Sequence, residues 1–197
     1  MAAPVSIAHT HVHSMRVASG QETLVARVLL KDGTAGYGFT LNEDAAVARD
    51  MAAWDAFARG KGVALHSLLG GSYRGKVKCV KDELPAIPPD WTALRKDILA
   101  GKHDLLRIDP FAWGSLEMVQ TIAAVAAAFD LSIALLAPNG HPWELQYCAA
   151  LAATLKGEDT RIIVRKIEEK EITISGEAGL GILWSSEPAF SKIQWQS

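Results

Sequence analysis

Apolar and polar residues alternate from Val5 to Ala18, and a β-rich run follows from Leu24 to Leu30. Both have the period of half-buried strands. Lys31-Asp32-Gly33-Thr34 closes the second run as a hairpin signal, and Ala35 to Leu41 completes a predicted three-stranded antiparallel meander. The period then changes. Ala45, Ala46, Met51, Ala52 and Trp54 recur at spacings that build one apolar helical face, with Asn42 as the expected N-cap and Gly60 and Gly62 as the stop.

Beyond residue 75 the pattern becomes an alternation of strands and helices. Lys76 to Lys81 reads as a strand, Pro85, Pro88 and Pro89 as a stiff loop, and Asp90 as the cap of a helix from Trp91 to about Ala100. Strands follow at Asp104 to Ile108 and Leu131 to Leu136, and helices at Ser115 to Phe129 and Pro142 to Leu155. Ile162 to Val164 and Glu171 to Ile174 read as short strands. This rhythm predicts a parallel sheet with helical crossovers, and at about 30 residues per β-α-β step it supplies three or four parallel strands.

Several segments carry a resemblance. Ala48 to Gly71, ARDMAAWDAFARGKGVALHSLLGG, closely resembles the linker helix of the enolase superfamily in its mandelate racemase/muconate lactonizing enzyme-like branch, where a form of "AAWDA.A...G.PL..LLGG..R..V" joins a capping domain to a (β/α)8 barrel. Asp32, Gly33, Gly36, Tyr37 and Gly38 match the "DG..GyG" of the cap. Gly176 to Trp184 resembles the carboxy-terminal "PGLGI.W" segment that returns to the cap, with Ala178 in place of Pro. Such a barrel takes about 250 residues, and residues 72–197 are half of that. The resemblance therefore implies an α/β chain: an α+β cap plus an incomplete TIM-barrel-like parallel βα sheet. It divides as 1–75, a reduced capping domain with linker helix; 76–175, a partial barrel; and 176–197, a segment returning to the cap. The extra helices between meander and linker helix are missing.

Composition narrows the classes. A 49% hydrophobic content provides a core, and a net charge of -2 gives no electrostatic motive for nucleic-acid or anionic-membrane partners. Cys79 and Cys148 lie far apart in sequence and lack metal or redox spacing, so reduced buried thiols are expected. No signal peptide is read at the N-terminus, and no apolar run reaches membrane-spanning length. A cytoplasmic chain is expected.

The resemblance also implies a chemistry. Relatives hold Mg²⁺ through three carboxylates at mid-barrel strand ends, where the metal stabilises the enediolate formed when a base removes the proton α to a carboxylate. No Asp or Glu here matches those ligands. Asp82 and Glu83, just past the first barrel strand, are weak substitutes, and a solvated loop is their plainer reading. Lys76 and Lys78 have the K-x-K spacing of the branch's first base but fall on the first strand, where exposed lysines blunting a sheet edge is the preferred role.

Asp109, in LLRIDP, corresponds to the Asp that orients the second base, followed by Gly114 at the family spacing. Read backwards from Leu151 to Thr154, His141 falls at the base; read forwards through the "aPHG" form of acid-sugar dehydratases, Asn139 does. Trp113 and Trp143 follow barrel strands and either line a pocket or cover a core left open. Trp54 is expected where cap and barrel join. His9, His11 and His13 project from one strand face, as surface groups or an adventitious metal site.

The functional expectation is a shortened, non-catalytic member of this branch with no cofactor. The alternative is residual Mg²⁺-assisted racemisation or dehydration of a sugar acid, and the second alternative is a module binding a small carboxylate. Self-association is expected to cover open sheet edges.

Overall fold

A computed structural model describes residues 3–41, 44–71, 74–157, 159–165 and 168–195. The chain forms two compact units, one of residues 1–68 and 175–197, the other of residues 69–174.

The first unit is the meander with its helix. Strands β1 (Ile7–Arg16), β2 (Glu22–Leu30) and β3 (Ala35–Thr40) pair antiparallel in that order. The β2–β3 hairpin is set by Asp32, whose Oδ1 accepts from Thr34 N at 2.9 Å, and by Gly33 at φ 87°. Helix α1 (Ala45–Gly60) is capped by Asp44, which accepts from Ala46 N. Asn42, the expected cap, lies outside the described residues.

Ala48, Ala52 and Ala56, spaced four apart on α1, pack on Ala26, Val28 and Leu30 of β2. Gly36 and Gly38 of β3 face this same stripe. A Cβ on Gly36 would meet Ala56 N and Ala52 O, and one on Gly38 would meet Ala48 O. Small residues on both sides thus bring strand and helix backbones together.

Asp55 ties the unit to its tail. Its fully buried carboxylate accepts from Tyr37 N at 2.9 Å, Arg59 Nε at 2.7 Å and Leu180 N at 2.8 Å. Burial pushes this carboxyl up while Arg59 pulls it down. Gly179 Cα lies against Asp55, and Leu65 N of the short helix α2 (Leu65–Leu68) donates to Gly179 O at 2.7 Å. Tyr37, Phe39, Trp184 and Phe190 form an aromatic cluster, with Trp184 and Phe190 stacked at 5.3 Å.

The second unit contains β4 (Lys76–Lys81), α3 (Trp91–Leu99), β5 (Leu105–Ile108), α4 (Leu116–Ala128), β6 (Ser132–Leu136), α5 (Pro142–Thr154), β7 (Arg161–Val164) and β8 (Lys170–Thr173). The sheet order is β5-β6-β7-β4-β8. Four strands are parallel, and the first of them, β4, pairs with the last, β7, as at the seam of a closing barrel. The barrel itself is open among the described residues.

The tail strand β8 adds antiparallel to β4. This corrects the edge role expected of Lys76 and Lys78: β4 is bonded on both sides, so these lysines guard no edge. They are exposed on the face opposite Val77 and Cys79.

Register assigns the two faces. Cys79, Ile162, Leu135 and Ile108 share the face on which α5 sits, where Cys148 lies near Cys79; both thiols are free and buried. Ala134, Leu136 and Ile163 share the opposite face, the inside of a complete barrel, and Ala86 of the proline loop packs against them. Ile87 N donates to Arg107 O on the outer edge of β5 at 2.8 Å. The stiff loop thus covers part of the apolar inner face.

Candidate functional site

Parallel strands bring their carboxyl ends to one side, and loops after these ends carry most of the polar side chains singled out in the sequence. Asp82 follows β4, Asp109 follows β5, Asn139 and His141 follow β6, and Arg165 follows β7.

Asp109 is held by its own loop. Its Oδ1 accepts from Phe111 N at 2.9 Å and Ala112 N at 3.2 Å. Burial raises its carboxyl above the usual range, with those two bonds and the positive charge of Arg165 opposing the shift. Trp113 N donates to Asp109 O, and the Trp113 side chain is buried.

His141 is the N-cap of α5, with Nδ1 accepting from Trp143 N at 3.2 Å. An Nδ1 that accepts is unprotonated, so the neutral ring carries its proton on Nε2 and has no lone pair there. Trp143 is wholly buried and meets the His141 ring edge-on at 5.3 Å; its side chain belongs to the core.

Glu144 was not singled out by sequence, yet it organises the loop. Oε1 accepts from Asn139 Nδ2 at 2.8 Å, and Oε2 accepts from Asn139 N at 3.1 Å and His141 N at 3.2 Å. Burial, helped by the negative charge of Asp109, pushes its carboxyl up to about 7 against the pull of those bonds. His141-Pro-Trp-Glu144 is a capping box, and the Glu three residues past a cap was the available signal. It was missed because His is not a usual N-cap.

Asp82 accepts from Leu84 N at 2.9 Å and from Arg107 Nη2 at 3.5 Å, bonds that hold its carboxyl below the ordinary range. Glu83 is exposed. In the first unit, His13 faces Trp195 edge-on at 5.0 Å, and the His9 and His11 rings stand 6.3 Å apart.

Mg²⁺ takes six oxygens in a tight octahedron, usually with carboxylates and waters. Among the described residues no three His, Cys, Asp or Glu side chains gather as a metal site. Asp82, Asp109 and Glu144 are already engaged by an arginine, by backbone N–H groups or by the Asn139 amide. The residues present do not fit the metal that the resemblance implies.

Solved structures give the fold a reference. A mandelate racemase/muconate lactonizing enzyme from Bordetella bronchiseptica superposes with a TM-score of 0.72 at 13% identity, covering 90% of this chain and 96% of that one. The fold is that of the mandelate racemase/muconate lactonizing enzyme group of the enolase superfamily. An enolase from Pseudomonas fluorescens, solved with magnesium, potassium and tartrate, gives 0.73 at 12% identity, covering 95% and 92%. A putative galactarate dehydratase from Agrobacterium radiobacter, with sodium and L-malate, gives 0.72 at 12% identity, covering 98% and 96%. No model of a protein family and no curated protein matches the chain. At this identity the likeness is one of fold. Within that fold, Asp109 and His141 stand after adjacent parallel strands, each engaged by its own segment.

Proposed function

We propose that the chain is a non-catalytic relative of the enolase-superfamily enzymes whose fold it shares, keeping the cap and a four-stranded part of the barrel. The observation that carries this reading is the engagement of the strand-end acids: Asp82 with Arg107, Asp109 with two backbone N–H groups, Glu144 with Asn139 and His141. A divalent cation needs several oxygen ligands that converge, and among the described residues no three such side chains gather; without a cation the enediolate dianion lacks its main stabilisation.

The test combines calorimetric titration with Mg²⁺ and deuterium exchange at the α-carbon of tartrate, malate and hexarates in D₂O. Neither saturable Mg²⁺ binding nor exchange above the buffer rate is expected. Tight Mg²⁺ binding together with exchange would overturn the reading in favour of residual racemisation or dehydration of a sugar acid. That alternative draws on Asp109 and His141 following adjacent strands and on relatives solved with small hydroxy acids. Thermal stabilisation by tartrate or malate without exchange would favour a carboxylate-binding module.

Two further elements belong to the proposal. Self-association has its motive in Leu84, Leu99 and Phe129 of the second unit, which are 51%, 63% and 48% exposed. A cytoplasmic setting agrees with two free, buried thiols. No helix of the described residues is long and apolar enough to cross a membrane.

A further inference from the structure

The inner face of the second unit's sheet changes character along its length. Toward the carboxyl ends it is apolar and partly covered by Ala86. Toward the amino ends it opens into a groove of about 760 Å³, within the size range of small-molecule sites. We propose that this groove binds a small anion carrying two or more phosphate or carboxylate groups, gripped by the neighbouring side chains of Lys78 and Arg161.

Lys78 on β4 and Arg161 on β7 are register partners in a parallel pair, so both side chains leave the same face of adjacent strands. Neither side chain has a hydrogen bond or ion pair among the described residues. Like charges directly opposite one another on a sheet repel, and an anion lying between them replaces that repulsion with charge-assisted hydrogen bonds. The interior of a complete barrel at this level is a packed apolar core. Here it carries cations.

Lys76 lies two residues before Lys78 on the same face and pairs loosely with Glu171 at 3.6 Å. Across the groove, the Arg74 guanidinium donates to Leu155 O at 2.8 Å, Gly157 O at 2.9 Å and Thr160 O at 3.2 Å, and so fixes the wall formed by the loop before β7. Lys156 adds a fifth cation, and Asp159 and Glu171 are the described acids of the lining. The excess of positive charge asks for a ligand with more than one negative group. Among the described residues the lining includes no aromatic ring on which a base could stack, which favours a small anion over a nucleic acid strand. The site lies at the opposite strand ends from the acidic cluster and is independent of the reading given above.

The experiment is calorimetric titration of the full chain with pyrophosphate and, separately, citrate, at low and high salt. Saturable one-to-one binding of at least one is expected, weakened by salt, and the two arms distinguish phosphate from carboxylate recognition. Lys78→Ala and Arg161→Gln are each expected to weaken binding by about tenfold or more. Without ligand, Arg161→Gln should leave the thermal midpoint unchanged or raise it, because it removes one of two repelling charges, whereas Lys78 also stands opposite Glu171 of β8. A lowered midpoint for Arg161→Gln would show the pair to be structural and overturn the proposal. Absence of saturable binding, unchanged affinity in both variants, or tighter binding of a short single-stranded oligonucleotide than of either small anion would also overturn it.

Discussion

At the scale of single residues, buried acids are this chain's most distinctive feature. Glu144 has a carboxyl raised from 4.5 to about 7, chiefly by burial. A raised carboxyl pKa means that the native state binds more protons than the unfolded state between the two values, so stability falls as pH rises through that window. The expected loss is about 3 kcal/mol, and denaturant unfolding at about pH 5 and about pH 8 measures it. Asp55 and Asp109, raised by burial in the same direction, add to the slope. Glu144→Gln should flatten the profile, and an unchanged slope in that variant would show that other groups carry it. His141 contributes as a cap: His141→Ala is expected to cost about 1 kcal/mol while His141→Ser retains most of the stability. Asp55→Ala leaves a partly exposed arginine and two backbone donors without their acceptor, and about 3 kcal/mol of stability should be lost.

At the scale of elements, the motifs that carry the family resemblance serve packing. Gly36 and Gly38 of the "DG..GyG" segment admit α1, the alanines of the linker helix meet them, and Asp55 of "AAWDA" binds the backbone of the Gly-Leu-Gly return. Two glycine substitutions separate the causes. Gly38→Ala drives a Cβ into the backbone of α1 and should cost about 3 kcal/mol, whereas Gly33→Ala at the hairpin meets no atom within 4 Å and should cost only about 1 kcal/mol of backbone strain. Urea unfolding of the two variants compares them, and equal losses would contradict this division. The elements were largely legible in sequence because periodicity and turn residues act locally: the strand expected over Lys76–Lys81 has those bounds, and Asp90 caps α3 as expected. The antiparallel pairing of β8 with β4 was not legible, since a four-residue strand carries no sign of its partner.

At the scale of the whole molecule, the net charge of -2 conceals a local excess of cations on the inner sheet face, because sequence composition averages over surfaces that folding separates. The exposed apolar side chains of the second unit lead to a further expectation: sedimentation at micromolar concentration should show a species of at least dimer mass, and a stable monomer that binds no apolar dye would contradict it. By itself the sequence determined the order of strands and helices, the cap motifs and the shortage of residues for a closed barrel, all consequences of local periodicity, turn chemistry and length. Only the tertiary structure decided what the singled-out side chains do. It engaged Asp109 and His141 within their own segments, brought in Glu144 as the organising acid, bonded β4 on both sides, and set Lys78 beside Arg161. These outcomes depend on register between strands distant in sequence and on which carboxylates lose water, and neither is written in local spacing.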